Sequence, residues 1–411
     1  MRINRERLLS DLEMLASFSD GTPPGISRLV FADADQEARI WLKAQCRDAG
    51  LPVREDAVGN MFARWVGAQP ELPAIGTGSH IDAIPHSGKY DGTVGVLGGL
   101  EAIRALRESG FEPLRSIELL LFTAEEPTRF GLGCLGSRML SGSLDSSADA
   151  RLKDLEGNTL AQLRGEAGFR GSLDDVRLND NYYASFVELH IEQGPLLERE
   201  GLAIGIVTGI AAPAALRISF EGEGGHAGAV LMPHRKDAFC AAAEIVLAIE
   251  ANALATGAID TCATVGKCHI YPGAVNSIPS RVELDADIRD IDEVRRNGVL
   301  KAIEEACARV AAKRKVQITV VPINTDAPAT ASPRIMEAIA DSASENGLAH
   351  KQMVSRAYHD SLFMARIAPV GMIFIPCREG VSHRPDEYSA PEEIENGAKV
   401  LAGTLARLSS Q

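Results

Sequence analysis

The stretch Gly76-Thr77-Gly78-Ser79-His80-Ile81-Asp82-Ala83-Ile84-Pro85-His86-Ser87-Gly88-Lys89-Tyr90-Asp91-Gly92-Thr93 sets metal-type ligands and glycines between an apolar strand and a helix. Residues 72–79 read as a short buried strand running into a turn, and side chains two apart on an extended chain face the same way. His80 and Asp82 therefore point together. An imidazole that binds metal through one nitrogen usually gives its other N–H to a carboxylate, and Asp82 is placed to be that partner. Asp91 follows on a glycine-flexed loop, just before the helical run Thr93 to Ser109, where it suits a carboxylate bridging two cations. With Val94, Leu97, Ile103 and Leu106 on one side of that helix, the whole reads as a βα unit. Ligands in α/β proteins gather at the C-terminal ends of strands. Taken alone, His80 and Asp82 also read as a surface hydrogen-bonded pair.

Working outward, Ile117 to Phe122 is a nearly continuous apolar run of the kind buried on both faces of a central strand. It ends in Thr123-Ala124-Glu125-Glu126-Pro127. Adjacent side chains diverge on a strand, so one glutamate can bind metal while the other works on water; a helix N-terminal cap is the alternative. Tyr183 to His190 alternates into a third strand, whose end supplies His190-Ile191-Glu192-Gln193-Gly194-Pro195. A fourth strand, Gly371 to Ile375, is followed by a loop ending in His383.

The stretch from Leu216 to Ile323 changes character, with strands Leu216–Glu221, Cys262–Ile270, Arg281–Arg289 and Val316–Ile323 and helices Lys236–Leu254 and Asp292–Ala312. This β-α-β-β-α-β order is the ferredoxin-like split unit and reads as an insertion. The fold class expected is α/β in two domains. A di-metal catalytic domain spans 1–211 and 329–411, and a ferredoxin-like α+β lid or dimerisation domain spans 212–328. Soft joints fall near Gly209 to Pro213 and Ala327 to Ser332.

The chain has 411 residues, 45% hydrophobic and 24% charged, enough for two cores of ordinary soluble composition. Its formal net charge of -14 argues against nucleic acid or an anionic membrane as partner. The charged amphipathic start from Met1 to Leu9 lacks an apolar signal core, and no apolar run is expected to approach membrane-spanning length, which makes the cytoplasm the default location. Seven cysteines without a Cys-x-x-Cys pair suggest neither a disulfide framework nor a thiolate zinc site.

Together, His80, Asp91, Glu126, His190 and His383 supply two metal ions per chain with one bridging carboxylate. Mixed nitrogen and oxygen ligands suit Mn²⁺, favoured here, with Zn²⁺, Co²⁺ or Ni²⁺ as alternatives. The order of these motifs resembles the dinuclear metal hydrolases of the M20 metallopeptidase group, and within it the amidohydrolase and carbamoylase branch. The carriers are Gly78-Ser79-His80-Ile81-Asp82, Gly88-Lys89-Tyr90-Asp91-Gly92, Glu125-Glu126-Pro127, the run from Glu188 to Pro195, Gly225-His226-Ala227-Gly228, Asn276-Ser277-Ile278-Pro279 and Ser382-His383. That resemblance implies Glu125 as general base beside Asp82, and His226 reaching from a partner subunit's inserted domain to stabilise an oxyanion. It also implies substrate binding by Gln193, Arg217, Asn276, Arg289, Tyr358 and His359. Metal coordination lowers the pKa of water from about 16 to about 7, and a neighbouring carboxylate can carry its proton to a leaving nitrogen. The guanidinium of Arg289 matches a carboxylate. Read singly, His226 also fits a turn, Asn276 a strand-end cap and Arg289 a solvated strand face.

One motif departs from most of the branch. Where the branch typically has Ser-Gly-Ala-Gly-His-Asp-Ala, this chain has Ser355-Arg356-Ala357-Tyr358-His359-Asp360-Ser361. Tyr358 in place of glycine fills space and adds a hydroxyl, which should exclude longer ureido substrates. The implied activity is hydrolysis of the terminal ureido amide of a small carboxylate, with release of ammonia and ureidoglycolate favoured. Allantoate, N-carbamoyl-L-amino acids and a non-catalytic dimeric binding protein are the alternatives. The expected partners are the small substrate and a second copy of the chain, joined through the inserted domain.

Overall fold

Strands Ala74–His80, Ile117–Phe122 and Tyr183–Ile191 lie side by side and parallel, with His80 opposite Phe122 and Thr77 opposite Val187. Val370–Ile375 adds a fourth parallel strand that pairs Phe374 with His190. The structure is a computed structural model that describes residues 2–411. Among the described residues the sheet has nine strands. Met61–Trp65 and Val53–Glu55 extend it antiparallel at one side, and Ile204–Ile210 pairs antiparallel with Val370–Ile375 at the other. Parallel strands put equivalent ends at one edge, which is why His80, Glu125, Glu126 and His190 converge without being near in sequence.

The apolar runs are continuous because the sheet is covered on both faces. Leu119 and Leu121 face a core with Val94, Leu97 and Leu100 of helix Thr93–Glu108 and Leu401 and Leu405 of helix Pro391–Ser409. Leu120 and Phe122 face the opposite core, with Leu135, Met139, Leu160 and Phe186. Each such side chain, fully buried, contributes on the order of 2 kcal/mol.

The chain divides into two compact units. One comprises the residues up to Thr208 with Thr330–Ser355 and His359–Gln411; the other comprises Gly209–Ala329 with Arg356–Tyr358. In the second, strands Ala212–Glu221, Cys262–Tyr271, Arg281–Asp290 and Gln317–Thr325 and helices Ala238–Ala255 and Glu293–Arg314 follow the β-α-β-β-α-β order. Arg281–Asp290 lies between Cys262–Tyr271 and Ala212–Glu221, with Gln317–Thr325 on the far side of the latter, all antiparallel. This is the ferredoxin-like arrangement. Val282, Leu284, Ala286 and Ile288 turn into a core with Ile245, Ile249 and Ile303, which leaves the alternate residues on a polar face. Asp237 and Asp292 cap the two helices through backbone N–H groups at 2.9–3.0 Å, each cap worth about 1 kcal/mol.

One expectation is overturned here. The helix Ala238–Ala255, 18 residues with a mean hydropathy of 1.7, is long and apolar enough by length and composition to cross a membrane. Its alanine-rich sequence, broken only by the charges of Glu244 and Glu250, hides the amphipathic pattern. Ala238, Ala241, Ala242, Ile245, Ile249 and Ala253 are nonetheless buried in the second unit's core.

Candidate metal centre

His80 is the last residue of its strand, and the chain then returns so that Asp91 and Gly92 lie against its ring. Gly92 has φ 67°, and a Cβ there would sit 2.4 Å from the His80 imidazole. Glycine is therefore required for the helix to start beside the ligand. On the neighbouring strand, Ala124 turns through φ 53° and presents Glu125 and Glu126 in succession. His190 comes from the end of Tyr183–Ile191, and His383 from a loop where it holds φ 59°.

These five residues meet in two overlapping groups, His80 with Asp91 and His190, and Asp91 with Glu126 and His383. Within each group the ligand atoms lie within 4.8 Å of one another. Asp91 Oδ1 is 3.1 Å from His190 Nε2 and 3.8 Å from His80 Nε2. Its other oxygen, Oδ2, is 3.0 Å from His383 Nε2, which is 3.4 Å from Glu126 Oε1. One carboxylate thus faces both groups, with an oxygen turned to each. Glu125 stands beside the first group, its Oε2 3.8 Å from His80 Nε2 and its Oε1 accepting the Cys134 thiol at 3.4 Å.

Asp82 does not orient His80 in the way its spacing suggests. His80 Nδ1 meets the main-chain oxygen of Asp82 at 3.0 Å, whereas the Asp82 carboxylate is 3.7 Å away. That carboxylate instead accepts the backbone N–H groups of Glu125 at 3.2 Å and Glu126 at 3.0 Å. Two buried donors at a strand end have no ladder partner, and leaving one unpaired costs about 1–3 kcal/mol, so they claim the carboxylate.

The electrostatics fit divalent cations. Burial, reinforced by Glu126, Asp360 and Asp91, pushes Glu125 well above the usual carboxylate range, and burial with Asp91 takes Glu126 to about 8. Burial alone would also raise Asp91, but hydrogen bonds with His190 and His383 hold it well below an ordinary aspartate. Crowded carboxylates with imidazoles between them form the nitrogen and oxygen donor set that Mn²⁺, Zn²⁺, Co²⁺ and Ni²⁺ accept. A buried Gln193 oxygen, Oε1, has no hydrogen-bond partner, while Gln193 Nε2 donates to Asp91 Oδ2 at 2.9 Å.

His359 is buried beside the centre, its ring 4.4 Å from that of His190 and its Nε2 3.0 Å from Ser355 Oγ. The remaining residues expected to bind substrate lie in the second unit. His226 and Asn276 are brought together there, because strand Gly225–His226 pairs with Ser277–Ile278 and Ala227 N–H donates to the Asn276 carbonyl at 2.9 Å. His226 Nδ1 accepts the Gly228 N–H at 3.1 Å, which leaves Nε2 to carry the proton. Arg289 binds both oxygens of Asp287 at 2.9 and 3.0 Å and lies over the Tyr358 ring, 5.5 Å from its centre. Arg217 binds both oxygens of Asp285 at 2.8 and 3.0 Å, on the polar sheet face.

Two residues of the centre escaped the sequence reading. Glu188 is buried and accepts the hydroxyls of Ser79 and Ser361 at 2.8 and 2.6 Å, beside His190 and His359. Its position two before His190 on one strand was the available signal. Glu387 accepts the Asp91 N–H at 3.1 Å, and nothing in its sequence surroundings marks it.

Residues 76–407 match peptidase family M20/M25/M40. The chain is 53% identical to a ureidoglycolate hydrolase of Arabidopsis thaliana over 416 residues, covering 100% of this chain and 87% of that protein. It is 38% identical to an N-carbamoyl-L-amino acid amidohydrolase of Geobacillus stearothermophilus, covering 99% of each. The crystal structure of AtUAH in complex with (S)-hydroxyglycine superposes with a TM-score of 0.93 at 52% identity, covering 100% of this chain and 99% of that one. With Asp91 shared between two ligand groups and these full-length similarities, the chain belongs to peptidase family M20/M25/M40, in its amidohydrolase and carbamoylase branch.

Proposed function

We propose that this chain hydrolyses the terminal ureido amide of ureidoglycolate. Water adds to the ureido carbonyl carbon, the bond to the terminal nitrogen breaks and ammonia leaves. The carbamic acid left behind loses carbon dioxide to give hydroxyglycine, which loses a second ammonia to give glyoxylate. The observation that carries the reading is Asp91 set between two ligand groups, in a chain 53% identical to a ureidoglycolate hydrolase. In support of the reading, AtUAH, 52% identical to this chain, has been solved in complex with (S)-hydroxyglycine.

Two divalent ions, held by His80, Asp91 and His190 and by Asp91, Glu126 and His383, suit the donor sets, with Mn²⁺ favoured. When bound, such ions polarise the carbonyl and make water acidic at neutral pH. Glu125 takes the proton from water and passes it to the departing nitrogen; it stands beside the first group, 3.8 Å from His80 Nε2, yet belongs to neither ligand group, which leaves its carboxylate for the water. Gln193 orients the ureido group, its unpaired Oε1 accepting an N–H of the substrate. Arg289 engages the substrate carboxylate. Its Nε edge is taken by Asp287, so the free edge is fixed in direction. His226 donates from Nε2 to the developing oxyanion across a homodimer formed by the second unit. Phe239, Leu247 and Leu254, exposed on helix Ala238–Ala255, give that unit apolar surface for association.

Ammonia release from ureidoglycolate by the metal-loaded protein tests the reading. Two ammonia per glyoxylate are expected; absence of turnover with either Mn²⁺ or Zn²⁺ overturns it.

A further inference from the structure

Glu387 lies four residues beyond His383, is 5% exposed, and touches neither ligand group with a donor atom of its own. Its Oε1 accepts the backbone N–H groups of Tyr90 at 2.8 Å and Asp91 at 3.1 Å. Its Oε2 accepts the Ser382 hydroxyl at 2.8 Å. That hydroxyl is also 3.1 Å from Asp91 Oδ2, and its oxygen accepts from Gln193 Nε2 at 3.2 Å. One carboxylate therefore fastens the loop that carries Asp91 to the loop that carries His383. The close approach depends on Gly88, where a Cβ would lie 2.3 Å from the Glu387 Cβ. The next residue, Tyr388, packs its ring edge-on against Tyr90 at 6.1 Å and extends the same clamp.

The two ligand groups depend on this clamp unequally. His80 and His190 stand at the ends of sheet strands, where the ladder pairs them with Phe122 and Phe374. His383 stands on a loop with no ladder, in a left-handed conformation that is uncommon for residues other than glycine. Asp91 and His383 supply two of the three ligands of the second group, and Glu387 joins their loops.

We propose that Glu387 is a positioning residue that sets the metal position formed by Asp91, Glu126 and His383, and with it the spacing between the two ions. The proposal rests on the reading that the five ligands hold two ions. Partners that hold metal ligands in place typically contribute 10–100-fold in metal affinity. Here that effect falls chiefly on one position of two, because the clamp holds two ligands of the second group and only the shared Asp91 of the first.

The test is titration of chelator-stripped protein with Mn²⁺ by calorimetry and elemental analysis, beside the melting temperature of the stripped protein. Glu387→Ala is expected to bind one ion nearly as the unmodified protein does and the second about 10–100-fold more weakly. Glu387→Gln, which keeps an oxygen for the two N–H groups, should recover part of that loss. Ser382→Ala removes one arm of the clamp without entering the core and should weaken the same ion to a lesser degree. Unaltered binding of both ions, or equal weakening of both with a lowered melting temperature in all three variants, overturns the proposal. Binding of a single ion by the unmodified protein would instead refute the two-ion reading.

Discussion

The Glu126 backbone N–H donates to the Asp82 carboxylate at 3.0 Å, so a member of the second ligand group, at one strand end, is held by an acid from the next. The same carboxylate takes the Glu125 N–H and thereby fixes the two adjacent glutamates, proposed base and proposed ligand, as one unit. Asp82→Asn turns one accepting oxygen into a donor that faces a donor. We expect metal affinity to fall about 10–100-fold and turnover with it. Metal titration with kcat at saturating metal checks this, and unaltered values for both would remove Asp82 from the site.

Glu125→Gln separates binding from chemistry. Neither Glu125 oxygen belongs to a ligand group, so the amide should leave both ions in place. An amide cannot take a proton from water, and kcat should drop by about 10²–10⁴. Elemental analysis of the variant is decisive: a lost ion means that Glu125 is the ligand and Glu126 the base.

The parts of this site legible in the sequence are those attached to regular structure. His80, Glu126 and His190 follow apolar runs whose burial on both faces is unambiguous, and the inserted unit shows in the alternation from Val282 to Ile288. Strand Ile204–Ile210 was missed because two glycines and a threonine dilute it and only Ala211 separates it from the next strand, so the junction reads as a hinge. The short helices Leu135–Leu140, Ala148–Arg151 and Leu160–Glu166 lack the length over which a 3.6-residue period declares itself. Glu387 and Ser382 act through single hydrogen bonds between loops about 300 residues apart, and such partners leave no periodic trace.

Removal of metal should abolish turnover, and its return should follow two equivalents per chain. Three ligands and a water satisfy one tetrahedral ion, so five residues sharing a carboxylate exceed a single ion's needs. Exhaustive chelation followed by stepwise Mn²⁺ or Zn²⁺ addition, with bound metal counted at each step, measures it. Full activity in protein shown to be metal-free would sink the two-ion scheme.

His226 is expected to act in trans. Loss of an oxyanion donor typically costs about 10²–10³ in kcat, so His226→Ala and Glu125→Gln should each be nearly inactive as homodimers. Mixed under conditions of subunit exchange, they form a heterodimer in which one site holds both intact groups, and activity should rise above either parent. Light scattering gives the oligomeric state. No recovery despite demonstrated exchange would place His226 on its own chain's substrate.

Substrate choice is expected to turn on Tyr358. Its ring lies against the Arg289 guanidinium, 5.5 Å from centre to carbon, and Arg289 is tied from behind by Asp287. A carboxylate that approaches the free edge of Arg289 therefore meets the tyrosine in a fixed direction. Ureidoglycolate carries a small hydroxyl beside its carboxylate, and the Tyr358 hydroxyl can bond it. Allantoate carries a second ureido arm at that carbon, which needs the space the ring fills; N-carbamoyl-amino acids carry a side chain and no hydroxyl. A site built to bond a substrate hydroxyl rejects the analogue lacking it by roughly 10⁴-fold, because its own polar groups are left unpaired. Tyr358→Gly removes both the bulk and the hydroxyl, so kcat/KM for ureidoglycolate should fall while that for allantoate rises, and the gap narrows from both sides. Tyr358→Phe keeps the bulk alone: it should weaken ureidoglycolate turnover without admitting allantoate. Ammonia release measured across the three substrates and three proteins separates the two contributions. Equal or better turnover of allantoate by the unmodified chain would overturn the assignment of substrate and leave the metal chemistry standing.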